Sequence, residues 1–88
     1  METIKKVRVN NPWGVPNQYV VSVNSEGTYF QSYNSVIVAI TPNGTFLDES
    51  KWDYSITTRK YRNKFLNETI KETRAKIKSG EYKMADLN

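Results

Sequence analysis

Residues 35–47 have the sequence SVIVAITPNGTFL, and this stretch decides the fold. Its first half is a short, nearly continuous apolar run rich in β-branched residues, which is typical of a central strand buried on both faces. Pro42-Asn43-Gly44 is a strong hairpin turn, and Thr45-Phe46-Leu47 has the length of a short return strand. The stretch therefore predicts a β-hairpin inside a sheet.

Further strands are predicted on the N-terminal side of this hairpin. Gln18–Val23 alternates in side-chain character, Asn24–Gly27 forms a tight turn, and Thr28–Tyr33 is the return strand. An earlier strand over Thr3–Val9 is separated from them by a loop at Asn10–Asn17, where two prolines interrupt strand pairing.

The pattern changes from strands to helices after Asp48. Ser55 or Thr57 can cap a first helix that runs to about Leu66. Asn67 stands where a helix often ends in left-handed geometry. The residues expected to face the sheet recur at spacings of four, three and four: Tyr54, Thr58, Tyr61 and Phe65.

A second helix is predicted to begin at the capping box formed by Thr69 and Glu72, in which each side chain satisfies a free backbone N–H of the other. Ser79-Gly80 ends it, and residues 81–87 add a terminal strand. One long helix over Thr57–Ser79 is the alternative. A capping box in the middle of the segment favours two helices.

Strands followed by helices predict an α+β fold. We expect a small antiparallel sheet of four to six strands, covered on one face by one or two C-terminal helices. A chain of 88 residues fits a single domain over 1–88. Its strands would lie mainly within 1–48, its helical segment within about 55–79, and its terminal strand within 81–87.

The amino-acid composition limits which catalytic groups, metal ligands and cross-links the chain can provide. The chain contains neither cysteine nor histidine, so it has no disulfide and lacks the commonest general base and the commonest zinc ligand. No apolar run of signal-peptide or membrane-spanning length follows Met1. We expect a cytoplasmic protein with no membrane partner, no metal and no cofactor, which binds a partner and is not an enzyme.

Positive charge is concentrated in the helical segment. The formal charge of the chain is +4, but residues 59–78 hold eight basic side chains against Glu68 and Glu72. This segment is either a surface for phosphates or acidic groups, or an ordinary solvated helix face. The candidate macromolecule-binding residues are Arg59, Lys60, Arg62, Lys64, Lys71, Arg74 and Lys78.

Aromatic residues give three more candidates. Tyr29 and Tyr33 would project from one face of a strand and Phe30 from the other, so the two tyrosines could stack nucleic-acid bases. The simpler interpretation is that one of these faces packs on the helices. Trp13, between Pro12 and Gly14, is either an exposed anchor for a partner or a lid that folds back over the core.

Asp48, Glu49 and Lys51 suggest a small metal-dependent nuclease. Glu49-Ser50-Lys51 has the acid-x-lysine spacing in which carboxylates hold a divalent ion and lysine stabilises developing charge. Such a short match arises by chance in many chains, and the motif normally lies on a strand. A solvated turn is therefore the simpler interpretation.

Much of the chain, about residues 19–87, resembles a family of small proteins encoded by phages, prophages and mobile elements of Gram-positive bacteria. Its most specific motif is Trp52-Asp53-Tyr54-Ser55 followed by Thr57-Thr58. Further matching segments are Phe30–Ser35, Lys60–Arg62, Phe65-Leu66, Glu72-Thr73, Lys76-Ile77 and Gly80–Tyr82. The function of that family is unknown, so the resemblance implies a genomic setting and transfers no catalytic or binding residue.

Two hypotheses follow from this setting. The first is a non-enzymatic accessory protein that binds a host or phage macromolecule in the bacterial cytoplasm. One example is an inhibitor of a defence nuclease, such as an anti-CRISPR protein that acts on a CRISPR effector. Because the chain is basic, it would not act by mimicking the charge of DNA. The alternative is direct binding of DNA or RNA through the basic helical face at 59–78.

Overall fold

The structure, a computed structural model, describes residues 6–88. Within them, six strands and two helices follow one another as β1 Val7–Asn10, β2 Gln18–Val23, β3 Gly27–Ser32, β4 Ser35–Thr41, β5 Gly44–Asp48, α1 Ile56–Leu66, α2 Ile70–Ser79 and β6 Tyr82–Ala85. The predicted α+β class, with helices packed on a mostly antiparallel sheet, is confirmed. Residues 3–5 of the predicted first strand lie outside the described residues.

The six described strands form one sheet, in which neighbours in sequence are also neighbours in space. The first four pairings are antiparallel, so short connections are enough to join them. β6 runs parallel to β5, because α1 and α2 carry the chain back across the sheet before β6 begins. The sheet is thus antiparallel except at its last strand.

The strand registers define a helix-covered face and an open face. Phe30, Val38 and Leu47 stand side by side on the helix-covered face. Phe65 of α1 stacks on Phe30 there, with 5.6 Å between ring centroids. Together with Ile37 and Tyr82, these strand residues form the buried core. Burial of each large apolar side chain contributes about 1.5–3 kcal/mol to stability.

The expected burial of β4 on both faces is confirmed only for the middle of the strand. Ile37 and Val38 are consecutive, yet both lie in the core, because the pairing with β3 shifts register at this point. Ala39 is 3% exposed and lies on the open face between aromatic neighbours from β3 and β5. Ile40 is 39% exposed. Within the apolar run, it is therefore Ile37 and Val38 that contribute to the core on one side of the sheet.

Gly27 allows β3 and β4 to approach closely at the start of β3. Its φ is +144°, and a Cβ atom at this position would lie only 2.1 Å from the carbonyl oxygen of Ile40. Any side chain would therefore force the two strands apart.

The predicted pair of helices is confirmed. Ser55 caps α1, because its Oγ accepts a hydrogen bond from the Thr58 N–H at 3.1 Å, and Asn67 ends it with a φ of 55°. At the start of α2, Thr69 Oγ1 accepts from the Glu72 N–H and the Glu72 carboxylate accepts from the Thr69 N–H, both at 3.2 Å. No helix in the described part of the chain is long and apolar enough to cross a membrane.

The stripe predicted to face the sheet from α1 is confirmed for three of its four residues. Thr58 is fully buried, and Tyr61 and Phe65 pack against the core. Tyr54 is the exception, because it lies before the helix cap and is 46% exposed.

Candidate nucleic-acid interface

Six cationic side chains point outward from the two helices. Lys60 and Lys64 are one turn apart on α1, opposite the buried Thr58 and Arg62. On α2, spacings of three and four residues place the other exposed cations on one stripe. We call the whole set the two-helix basic surface: Arg59, Lys60, Lys64, Lys71, Arg74 and Lys78.

Asp53, in the loop before α1, joins the two halves of this surface. Arg59 donates from Nε and Nη2 to its two carboxylate oxygens, at 2.8 and 2.9 Å. Arg74 of α2 places its Nη2 3.7 Å from the same carboxylate, so one cation from each helix meets at Asp53. Burial raises the pKa of Asp53, but hydrogen bonds and charge from Arg59 and Arg62 outweigh it and hold the pKa below its ordinary value.

Arg62 lies beneath the two-helix basic surface. Its side chain is 0% exposed, and its Nη1 donates to the Trp52 carbonyl at 2.5 Å and to Asp53 at 3.1 Å. The guanidinium also lies over the Trp52 ring, 5.0 Å from the centroid. A buried charge needs partners of this kind. The prediction that Arg62 contacts another macromolecule is therefore wrong, since its side chain ties the preceding loop to α1.

The acidic residues of the helical segment lie away from this surface. Glu72 belongs to the capping box and is on the opposite side of α2 from Arg74. The buried carboxylate of Glu68 accepts a hydrogen bond from the Tyr82 hydroxyl, and Lys76 Nζ lies 3.5 Å from it. Burial and this hydrogen bond raise the pKa of Tyr82 to about 12. The two-helix basic surface thus sets six cations against one carboxylate, that of Asp53.

Trp13 folds back over the core and is not an exposed anchor. Its ring makes an edge-to-face contact with Phe30 at 5.8 Å and lies 5.3 Å from Tyr61. The loop that carries it is closed by Asn11, whose Oδ1 accepts from the Val15 N–H at 3.3 Å. Of the two interpretations of Trp13, the lid over the core is confirmed.

The stacking platform predicted from Tyr29 and Tyr33 does not form. β3 ends at Ser32, and Tyr33 lies in the turn to β4 with a φ of +56° and 45% exposure. Tyr29 is half-buried on the open face, paired with Val21 and Ala39. The two tyrosines therefore do not share a strand face.

Asp48 organises the loop and the C-terminal residues around it. Its carboxylate accepts hydrogen bonds from the backbone N–H groups of Lys51 and Leu87 at 2.9 Å and from Asn88 Nδ2 at 3.1 Å. Burial raises the pKa of Asp48, but these hydrogen bonds lower it further than burial raises it. Glu49 is exposed beside it. Within residues 6–88, no three metal-ligating side chains are grouped closely enough to hold an ion.

The open face carries a transverse apolar row. Paired residues from successive strands form it, in the order Val9, Val21, Tyr29, Ala39 and Phe46, and Lys83 of β6 ends it. On the edge strand β1, Val7 is 58% and Val9 60% exposed. Lys83 lies over the Phe46 ring at 5.9 Å.

A second cationic region is separate from the helices. An open groove of about 680 Å³ is lined by residues of β1–β4 and their turns. Lys6 and Arg8 contribute its positive charge, and Ser22 and Thr28 contribute hydroxyl groups. Both cations are exposed.

Comparison with known proteins gives one match. The model of a family of unknown function (DUF8033) matches residues 5–82. No curated protein and no solved structure matches the chain.

Proposed function

The chain belongs to DUF8033, and because the function of that family is unknown, we propose from the geometry that it is a non-enzymatic protein that binds DNA or RNA. The proposal rests on the two-helix basic surface. Its six cations come from two consecutive helices, and two of them, Arg59 and Arg74, lie beside the Asp53 carboxylate. A repeating phosphate backbone has the charge and the extent that complement such a surface.

The arrangement of the cations supports contacts to the backbone. Lys60, Lys64, Lys71 and Lys78 each present a mobile point charge, which binds phosphate without a fixed direction. Arg74 is 62% exposed and only 3.7 Å from Asp53, so its guanidinium still has donors for a phosphate. Neutralising about five phosphates releases their counterions, which gives a slope of roughly −4 to −5 in log K against log salt on duplex DNA.

The experiment is fluorescence anisotropy with labelled DNA and RNA over a range of salt concentrations. Lys60→Glu combined with Lys64→Glu is expected to weaken binding at least tenfold and to reduce the salt slope by about 2. The matched control is Lys6→Glu combined with Arg8→Glu, which changes the net charge by the same amount in the groove. Equal losses in both double variants would mean that net charge, and not this surface, drives the binding.

The apolar row on the open face favours a second candidate function. An accessory protein of a phage or mobile element would use this face to bind a host protein in the bacterial cytoplasm, such as a CRISPR effector whose nuclease it inhibits. Val9 extends the row to the edge strand of the sheet, where the neighbouring Val7 is exposed as well. Stoichiometric inhibition of a purified effector, lost in Val9→Asp but kept in Lys60→Glu, is the expected result. Inhibition that persists in Val9→Asp would exclude this face.

A further inference from the structure

Tyr33 occupies a position that suits glycine better. Its φ of +56° lies in the left-handed region, which β-carbon sterics make unfavourable for most side chains. The turn is held by its N–H, which donates to the Asn17 carbonyl at 2.7 Å, and by its carbonyl, which accepts from Gln31 Nε2 at 2.9 Å. These are backbone contacts that glycine would also make. Tyr33 is 45% exposed and lies outside the hydrophobic core cluster, so the strained position gains little core packing from its side chain.

Tyr54 and Ile56 are exposed on either side of the helix cap. Tyr54 is 46% and Ile56 86% exposed, while Ser55 between them caps α1. Ile56 is therefore largely in water, and nearly half of Tyr54 is open to solvent. The cap of α1 and the contacts of the loop before it are made by residues next to Tyr54 and Ile56, and not by these two side chains.

Tyr33 and Tyr54 lie at the same end of the molecule. Thr58 Oγ1 is 2.9 Å from Ser32 Oγ and 2.9 Å from Ser55 Oγ, and these two serines immediately precede Tyr33 and follow Tyr54. This chain of hydroxyls brings the β3–β4 turn against the start of α1. Arg59 and Lys60 follow Thr58 on the same helix. The segments that carry the two tyrosines therefore meet at the helix end from which the first cations of the two-helix basic surface project.

We infer that the protein binds single-stranded nucleic acid, with unpaired bases stacked on Tyr33 and Tyr54 and the backbone running onto the two-helix basic surface. This inference rests on the proposed function and specifies its ligand. Proteins that bind single strands combine a cationic track with aromatic rings, because every unpaired base offers a face for stacking. In a duplex those faces are covered by neighbouring base pairs. The positive charge of α1, which begins at this end of the molecule, favours a nucleic acid over an apolar protein segment as the occupant.

The test compares Tyr33→Gly and Tyr54→Leu with the parent chain, on single strands and on duplexes of the same length. Leucine keeps apolar contact but cannot stack as an aromatic ring does. Each variant is expected to weaken single-strand binding by roughly 5- to 150-fold and to leave duplex binding unchanged. Tyr29→Leu, on the open face, is the matched control and is expected to bind normally. Tyr33→Gly is expected to melt at the same temperature as the parent or higher.

The outcomes separate this inference from the proposed function. If single strands and duplexes bind equally and both tyrosine variants bind like the parent, the stacking inference is wrong and the basic surface alone binds nucleic acid. If Tyr33→Gly melts at a lower temperature, the tyrosine serves folding, which also overturns the inference. If neither form of nucleic acid binds even at low salt, the proposed function fails together with it.

Discussion

Replacing Asp53 by asparagine is expected to destabilise the protein more than replacing either of its two solvent-exposed partners, Arg59 and Arg74. Asparagine keeps the shape of the side chain but removes the charge that compensates Arg62, whose side chain is 0% exposed. Removing one partner of a buried ion pair typically costs about 3–5 kcal/mol, because the other charge stays buried without compensation. The total stability of an 88-residue chain is about 4–13 kcal/mol, so the loss is a large fraction of it.

Urea unfolding at pH 7, followed by tryptophan fluorescence, measures this loss. We expect Asp53→Asn to lower the free energy of unfolding by about 3 kcal/mol. Arg62→Met removes the buried charge itself and leaves Asp53 paired with Arg59, so it should cost less. The double variant should be more stable than the sum of the two single losses predicts, because no charge is then left buried alone.

The matched control is Arg59→Gln, which removes a partner of the same carboxylate whose side chain is 43% exposed. Solvent screens this pair, so only a small loss is expected. If Asp53→Asn is no more destabilising than Arg59→Gln, or if the losses in Asp53→Asn and Arg62→Met simply add, then Arg62 does not depend on Asp53 for its charge compensation.

Three further predictions concern the rest of the fold. Tyr82 keeps its proton to about pH 12 in the folded state, whereas an unfolded tyrosine loses it near pH 10. The unfolded chain therefore binds fewer protons between these values, and stability falls as pH rises. Urea unfolding at pH 9 and 11 should show a smaller fall in Tyr82→Phe, and an equal fall would contradict the raised pKa. Gly27→Ala should lower the melting temperature by roughly 10 °C or more, because its Cβ would clash with the Ile40 carbonyl. Gly44→Ala, where a Cβ meets nothing within 4 Å, should lower it less. Thr69→Ala should cost about 1 kcal/mol in urea unfolding through the lost cap of α2, whereas the exposed Thr57→Ala should be nearly neutral.

The parts of the fold that were predictable from sequence are those that local chemistry determines. Pro42-Asn43-Gly44 suits a hairpin turn wherever the hairpin packs, and Thr69 with Glu72 forms a capping box from four consecutive residues. Ser55 and Asn67 likewise act at the helix ends that they occupy. In each case the interacting groups are fewer than five residues apart, so their contacts follow from the sequence alone.

The candidate site was less predictable because its contacts are not local. Helical periodicity places Arg62 on the same side as Thr58, but the lysines and arginines around it in sequence suggested a solvent-facing position. What decides its burial is Asp53, nine residues earlier, and the Trp52 ring beneath the guanidinium. An aspartate two residues before a helix cap, followed by arginines on one side of that helix, is the sequence signal that could have revealed this arrangement.

The Trp52–Ser55 motif, which carries the family resemblance, illustrates how structural and functional residues can be separated. Trp52 and Asp53 hold Arg62, and Ser55 caps α1. Each of these residues therefore has a role in the fold, and substituting them would disturb binding only by disturbing the structure. Tyr54 does not cap the helix, is 46% exposed and lies outside the hydrophobic core cluster, so it adds less to stability than the buried core residues do. If the motif has a role in binding, it is this residue, together with the strained Tyr33 at the same end of the molecule, whose substitution should reduce binding without loss of stability.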